Sequence, residues 1–471
     1  MPGLTPRGWD LLRRGAFLIL AATAVIGTLR AALIIPNTVP LDPDEGWNAY
    51  HALAAMTGHG LYPPSGSLMV NNYPPLSFFI IGVLGQWFGD MIVAGRIVSL
   101  AAFCVVCGGI AGVARRMDCS WWAALFATFL FADVLLLYSD YVAMDDPQLL
   151  GHAVDIVGVF LLLREPRKVS AIITGALLLS LAGFIKHNLI VTPLVMAIWL
   201  LQQERRAATV FIISGIAFAV AGLGVFHLIY GVSLLAQLAS ARIYSIANLG
   251  AALQAWLPWG FAPLLIAVWL WRRHGRDKYV RFCTIYALTG FAIGCIFSGG
   301  DGVDANALFD ADIGLVLCCA QALQRFAAPP IRTIIAALCV LSLANGLWLA
   351  ASAAALQPRY WQHPLADETA LARSDIALLR AHPGPAFCEM PSLCYWAGKP
   401  GLVDVFNVGE QIATRARSDA PLVQAIGHGD FAIIEFDTLR PFALSSGIAG
   451  VLQKRYRIAR SDDDGVFFVP R

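Results

Sequence analysis

Three carboxylates stand within four positions of the segment LDPDEGWNAY, residues 41–50: Asp42, Asp44 and Glu45. They follow a long apolar run that ends near Ile35, where acidic groups are costly to desolvate. A positioned carboxylate takes the proton from a hydroxyl group as that group attacks a second molecule, so all three are candidate catalytic residues. A helix that begins here also explains them, because carboxylates at a helix N-terminus stabilise it by about 0.3–1 kcal/mol. Both interpretations stay open for each acid.

A second acidic pair and a few cations stand at the ends of other apolar runs. Asp145 and Asp146 lie in MDDP, Lys186 and His187 in FIKHN, and Arg242 in LASARIYSIANL. The cations are candidates for binding a phosphate group, although a lysine at the end of an apolar helix also extends to water at the membrane surface. The acidic pair belongs either to the same site or to a solvated turn.

Two further polar residues, Asp304 and Asn306, lie in the glycine-rich segment SGGDGVDAN. Such side chains contact a sugar or another polar substrate in a binding loop, and a plain connecting turn explains them equally well. The histidines and cysteines show no zinc-type spacing.

The composition is that of a polytopic membrane protein. Of the 471 residues, 58% are apolar and 14% are charged, and the mean hydropathy is +0.67. Soluble proteins are about half apolar and about a quarter charged. The net charge of +2 says nothing about partners, and no basic stripe indicates nucleic acid.

The apolar runs predict about eleven transmembrane helices. They lie at 16–35, 94–113, 121–137, 148–163, 171–184, 189–201, 209–230, 256–270, 280–297, 307–323 and 331–352. Basic residues occupy alternate turns, at 7–14, 115–116, 164–168, 204–206, 272–278 and 325, which places those turns inside. The long loop 36–93, the segments MDDP, KHN and GGDGVDAN, and the tail then lie together outside.

The first outside loop, residues 36–93, is predicted to lie on the membrane surface. Residues 45–58 form an amphipathic helix, and the apolar segment 75–88 returns along the surface without crossing. Two Tyr-Pro-Pro sequences make the connecting turns rigid. Together with the spans, this loop makes residues 1–356 one transmembrane domain.

The tail, residues 357–471, differs from the rest of the chain. Polar helix-like segments alternate with short apolar runs, FAIIEF and VFFVP, that Gly, Asp and Pro residues bound. This pattern predicts a small α/β domain outside the cytoplasm. Its cysteines, Cys388 and Cys394, are a candidate disulfide in that compartment.

The order of these features resembles the GT-C glycosyltransferases, above all the bacterial branch related to protein O-mannosyltransferases and lipid A aminoarabinose transferases. The resemblance covers most of the chain. Its parts are the Asp-Glu pair after the first helix, GLYP, YPPL, GRIVSL, the second acidic pair, FIKHNLIVTPL, SGGDGVDANALFDADIGLVL and, in the tail, GPAFCEMPSLCYWAGKPGLVDVFN. One departure weakens the case for lipid A and aminoarabinose as substrates: Tyr73 precedes the Pro-Pro-Leu here, where the aminoarabinose transferases have a lysine.

The resemblance implies a glycosyltransferase of the inner membrane that moves a hexose or pentose from a polyprenyl phosphate to a lipid, glycan or protein hydroxyl on the outer face. It implies that Asp44 is the base, with Glu45 in support and Asp42 as a further candidate. The remaining candidate residues are Asp145, Asp146, Lys186, His187, Arg242 and Tyr73 on the donor side, and Asp304 and Asn306 towards the sugar or acceptor. A divalent ion, Mg²⁺ or Mn²⁺, is compatible with such a site.

Two other functions fit a membrane protein of this size. A glycan flippase or transporter usually has inverted repeats and helices broken at mid-membrane, whereas this sequence has no repeat and carries its acids in outside loops. A polymerase or ligase of lipid-linked glycans depends on a large late outside loop, whereas the informative loop here is the first one.

Overall fold

The computed structural model describes residues 5–349 except 59, 65, 139 and 140, and residues 365–471 except 438–443, 463 and 464. The first part is helical. Its elements are α1 (Pro6–Ile34), α2 (Pro43–Thr57), α3 (Leu76–Phe88), α4 (Met91–Arg116), α5 (Trp121–Tyr138), α6 (Gln148–Arg164), α7 (Val169–Ile185), α8 (Val191–Gln203), α9 (Arg205–Tyr230), α10 (Val232–Leu238), α11 (Ile246–His274), α12 (Lys278–Phe297), a 3-10 helix (Ala305–Leu308), α13 (Phe309–Arg325) and α14 (Pro329–Leu349).

Each predicted transmembrane segment overlaps one of these helices, and residues 350–352 of the last segment lie outside the described residues. Six are long and apolar enough to cross a membrane: α1, α4, α9, α11, α12 and the segment 305–325 that includes α13. The apolar helices α3, α5, α7, α8 and α14 are shorter. The protein is therefore a polytopic helical membrane protein, as predicted, and the predicted surface helices of the first loop are α2 and α3.

Side-chain caps determine where several helices begin. Asp90 accepts hydrogen bonds from the first turn of α4, Ser245 from that of α11, and Asp277 from that of α12. These caps satisfy backbone N–H groups that have no partner within the helix. An acid directly before a helix in this chain therefore often serves as its N-cap.

The loops predicted to share one face of the membrane meet at one end of the bundle. Asp44, Tyr141 and Asp304 come from three of these loops and line one cavity together with Arg242, which lies between α10 and α11. At the opposite end the basic turns meet, where Arg325 forms an ion pair of 2.9 Å with Asp277. The structure thus divides the loops into the two groups that the charge pattern predicted.

The tail forms the predicted small α/β domain. Its elements are α15 (Ala366–Ala381), β1 (Ala386–Cys388), α16 (Pro391–Trp396), α17 (Val405–Ala413), α18 (Ala420–His428), β2 (Ile433–Phe436), α19 (Ser446–Arg455), β3 (Tyr456–Asp462) and β4 (Gly465–Pro470). The sheet has the order β1-β2-β4-β3, in which β1 and β2 are parallel and β4 is antiparallel to both neighbours. The predicted boundary at 356/357 lies outside the described residues.

Helix α16 docks this domain onto the first loop. Cys388 and Cys394, the predicted pair, are joined by a disulfide that closes the segment leading into α16. Gly46 of α2 packs against the backbone of Ser392 so closely that a methyl group there would overlap it. The Tyr50 hydroxyl donates to the Lys399 carbonyl at 2.8 Å. The tail domain is thereby fixed next to the start of α2.

Candidate active site

A cavity of about 360 Å³ lies where the loops of one bundle end meet the tail domain. Carboxylates, amides, aromatic rings and one guanidinium group form its walls. The lining residues are Asp42, Pro43, Asp44, Trp47, Asn72, Tyr73, Tyr141, Arg242, Gly302, Val303, Asp304, Glu389, Phe406, Asn407 and Asp437. Three of the predicted site residues beyond Asp42 and Asp44 line this cavity: Tyr73, Arg242 and Asp304.

The N-terminus of α2 assigns different positions to Asp42 and Asp44. Pro43 occupies the first helical position, so Asp42 is the N-cap, and its carboxylate accepts from the backbone N–H of Asp44 at 2.8 Å. Asp44 lies in the first turn and its carboxylate faces the cavity, where the Tyr73 hydroxyl is its neighbour at 3.5 Å. Asp42 thus has the cap role that the sequence left open, and Asp44 is free of it.

Burial makes both carboxyls weaker acids than usual. Desolvation, with a smaller contribution from the charge of Asp44, raises the pKa of Asp42 to about 8. Desolvation and then the charge of Asp146 raise the pKa of Asp44, while Lys186 and Arg242 lower it. A carboxylate whose pKa approaches the working pH is a better proton acceptor than an ordinary one.

Glu45 faces away from the cavity. Its two oxygens accept from the Arg96 guanidinium at 2.7 and 2.6 Å, and both side chains are fully buried. Arg96 also donates to the carbonyls of Asn37 and Val39, which lie between α1 and α2. The pair therefore anchors the segment before α2 to α4, and Glu45 supports Asp44 through the backbone.

The two acids of the second pair, Asp145 and Asp146, also have different surroundings. Asp146 forms a buried ion pair with Lys186 at 2.9 Å. Asp145 lies beneath it, where its N–H donates to Glu45 and its carbonyl accepts from Asn48. The Asp145 carboxyl is fully buried and has no hydrogen-bond partner among the described residues. Desolvation, and then the charges of Glu45 and Asp146, raise its pKa well above the usual range.

Three of the predicted phosphate-binding residues lie around Tyr73. The Lys186 ammonium group is 3.7 Å from the centre of the Tyr73 ring. The ring of His187 is 6.3 Å from that of Tyr73. Burial, and then the charges of Lys186 and Arg242, lower the pKa of His187 to about 4, so its imidazole is neutral at pH 7. Arg242 itself lines the cavity and is held by the Asp301 carbonyl at 2.8 Å.

An apolar groove of about 590 Å³ reaches His187. Helices α7, α8 and α9 form it, with residues such as Leu179, Pro193 and Ile216, and His187 is among its lining residues. His187 thus lies between this groove and Tyr73, which is part of the wall of the polar cavity.

Gln148 connects three of the predicted loops. Its side-chain oxygen accepts from Asn188 at 3.2 Å and from Asn306 at 3.3 Å, and its backbone N–H donates to Asp146. Asn306 therefore lies behind the cavity wall, whereas Asp304 is part of that wall. The glycine-rich loop is thereby held against the second acidic loop.

Several site residues were not predicted from the sequence. Arg96 stands in the quoted GRIVSL, but nothing in that segment identifies its partner 51 positions earlier. Asn72 lies beside the predicted Tyr73. The sequence feature that could have identified it is a polar residue directly before a rigid Tyr-Pro-Pro turn. Phe406 and Asn407 end the quoted tail segment GPAFCEMPSLCYWAGKPGLVDVFN, but no chemistry marks them there.

No group of three or more His, Cys, Asp or Glu side chains within the described ranges converges at metal-ligand spacing. The positive charge that the described cavity wall and its neighbours offer to a phosphate comes from Arg242 and Lys186.

Two crystal structures of ArnT from Cupriavidus metallidurans are similar to this chain along nearly its whole length. The apo structure matches with a TM-score of 0.61 and 14% sequence identity, covering 98% of both chains. The structure bound to undecaprenyl phosphate matches with a TM-score of 0.62 and 14% identity, covering 96% of this chain and 98% of that one. This chain has the ArnT fold. No family model and no curated protein matches the sequence.

The resemblance that the sequence motifs indicated is therefore confirmed at the level of the fold. The coverage includes the tail domain, since 98% of each chain is matched.

Proposed function

We propose that this protein is a glycosyltransferase that moves a sugar from a polyprenyl phosphate to an acceptor hydroxyl. One observation carries the proposal. Asp44, which is not the N-cap of α2, faces the cavity, and Arg242, Lys186 and the apolar groove at His187 lie around it. A carboxylate base, a phosphate site and a lipid groove are the three parts that this reaction needs.

The donor would lie across the junction of groove and cavity. Its isoprenoid chain fits the groove of α7, α8 and α9, and its phosphate fits between Lys186 and Arg242, with the neutral imidazole of His187 as a hydrogen-bond partner. The similarly folded ArnT has been crystallised with undecaprenyl phosphate, which supports a carrier of this class.

The reaction then follows from Asp44. Its carboxylate accepts the proton of the acceptor hydroxyl, whose oxygen forms a bond to the anomeric carbon as the bond from that carbon to the phosphate oxygen breaks. The electron pair leaves with the polyprenyl phosphate, whose charge Lys186 and Arg242 stabilise. The Tyr73 hydroxyl, 3.5 Å from the Asp44 carboxylate, would orient it.

We place this site on the outer face of the cytoplasmic membrane. The basic turns gather at the opposite end of the bundle, and such turns favour the cytoplasm. The disulfide in the tail domain fits an oxidising compartment. The acceptor would be a lipid, glycan or protein of the cell envelope, as in glycolipid or lipopolysaccharide synthesis.

The test is donor turnover. Purified protein in lipid receives labelled polyprenyl-phosphate sugars and a membrane extract, and label leaving the carrier is measured with and without EDTA. Transfer supports the enzyme, and a requirement for added Mg²⁺ or Mn²⁺ after EDTA would reveal a metal ion. If no label moves from any donor while carrier lipid changes leaflet, the flippase is the better proposal.

The pH dependence of transfer reports on the base. Because burial raises the pKa of Asp44, we expect the acid limb of the kcat/KM profile to lie above the range of an ordinary carboxyl group. Lys186 lowers that pKa, so Lys186→Met should move the limb to higher pH, whatever it does to the rate. A limb near pH 4 in both proteins would contradict Asp44 as the base.

Lys186 should also determine donor affinity. Replacing it by Met removes a charge-assisted contact worth about 1.5–3 kcal/mol, so affinity for sugar-free polyprenyl phosphate should fall by roughly 10–150-fold. Binding is measured by titration in nanodiscs. Arg167→Met, an exposed cation at the opposite end, is the control, and an equal loss there would indicate surface electrostatics.

A further inference from the structure

The cavity has a wall that belongs to the tail domain. Glu389, Phe406, Asn407 and Asp437 all line it. Phe406 and Asn407 are in the first turn of α17, and Asp404 is the N-cap of that helix, accepting from the Asn407 N–H at 2.9 Å. The tail therefore contributes side chains to the site itself.

This wall is tied directly to the helix that carries the base. The Trp47 indole N–H, one turn after Asp44, donates to the Asp404 carboxylate at 2.9 Å. The Asn407 side chain donates to the same carboxylate at 2.8 Å and accepts from Asn72 at 3.2 Å. Asp404, Asn407 and Asn72 are all buried. The position of the wall relative to Asp44 is thus set by buried hydrogen bonds.

The Phe406 ring lies next to the proposed phosphate site. The Arg242 guanidinium carbon is 5.2 Å from its centre. On another side the ring packs against Gly302, whose φ of 63° favours glycine and where a methyl group would overlap the ring. Phe406 is therefore held between the phosphate-binding cation and the glycine-rich loop.

The chemistry fixes where the sugar must lie. The anomeric carbon is bonded to the phosphate and attacked by the hydroxyl that Asp44 deprotonates, so the sugar ring extends from Arg242 into the cavity. The Phe406 ring, which lies against Arg242, is then the neighbour of the sugar ring. An apolar ring face with a few placed amide and carboxylate groups is the usual means of orienting a small polar ligand.

We propose that Phe406 and Asn407 form the subsite for the sugar ring of the donor, so that the tail domain selects which sugar is transferred. This inference rests on the proposed function and deepens it. It assigns the sugar to the tail domain and the carrier phosphate to the membrane domain.

The experiment compares hexosyl and pentosyl donors on one polyprenyl phosphate, with Phe406→Leu and Phe406→Tyr. Leu keeps an apolar side chain without an aromatic face, so kcat/KM for the preferred sugar should fall about tenfold and the preference between the donors should shrink. Tyr keeps the face and should keep the preference. Affinity for sugar-free polyprenyl phosphate should stay within about twofold in both.

Phe468→Leu makes the same change elsewhere in the tail domain, outside the described cavity wall. An equal loss in this control, or equal losses in sugar-free lipid binding and in transfer for Phe406→Leu, would overturn the subsite. Wild-type selectivity in Phe406→Leu would overturn it and leave the proposed function standing. A wild-type protein that turns over no donor would overturn both.

Discussion

Asp44→Asn is expected to lower kcat for sugar transfer by about 10³-fold, within the range of about 10²–10⁴ that general-base catalysis supplies. The amide is nearly the size of the carboxylate but accepts no proton. The change should leave affinity for the donor within a few-fold, since the phosphate would contact Lys186 and Arg242. Single-turnover transfer of labelled sugar, with parallel lipid-binding measurements, checks this result.

Asp42→Asn is the matched control. Asn is as good an N-cap as Asp, so the start of α2 should be preserved while the ionisable group is removed. We expect activity within about threefold of wild type, because the pKa of about 8 already keeps Asp42 mostly protonated at pH 7. If Asp42→Asn is inactive and Asp44→Asn is not, the two roles are reversed.

The sequence contained enough to separate these two acids. Pro is favoured at the first helical position, and Pro43 in DPDE therefore indicates Asp42 as the cap and turns Asp44 to another face. The helices and the grouping of the loops could also be predicted from the sequence, because hydropathy and the placement of Lys and Arg report directly on membrane insertion.

Contacts between distant segments could not be predicted from the sequence. The ion pairs of Lys186 with Asp146 and of Arg96 with Glu45 join residues 40 and 51 positions apart, and charge alone does not say which of many acids each cation meets. Phe406 entered the site only through the docking of the tail, which apolar packing and backbone hydrogen bonds determine. A lone phenylalanine carries no sequence signal of that position.

Arg96→Leu is expected to destabilise the protein by about 3–5 kcal/mol, the usual cost of leaving one partner of a buried ion pair alone. Glu45 would keep a buried charge, and the carbonyls of Asn37 and Val39 would lose their donor. Because Glu45 also accepts from the backbone N–H of Asp145, both acidic loops should loosen together. Thermal unfolding in mild detergent measures the loss.

The double variant Arg96→Leu with Glu45→Gln distinguishes an uncompensated charge from lost packing. Gln removes the charge and keeps an acceptor for the Asp145 N–H, so the double variant should be more stable than Arg96→Leu alone. Arg96→Lys should recover little of the lost stability. An ammonium group cannot form two parallel hydrogen bonds to Glu45 and also donate to two carbonyls. If the double variant is as unstable as Arg96→Leu, the role of Arg96 lies in its packing and its carbonyl contacts, and Glu45 is not the charge that requires it.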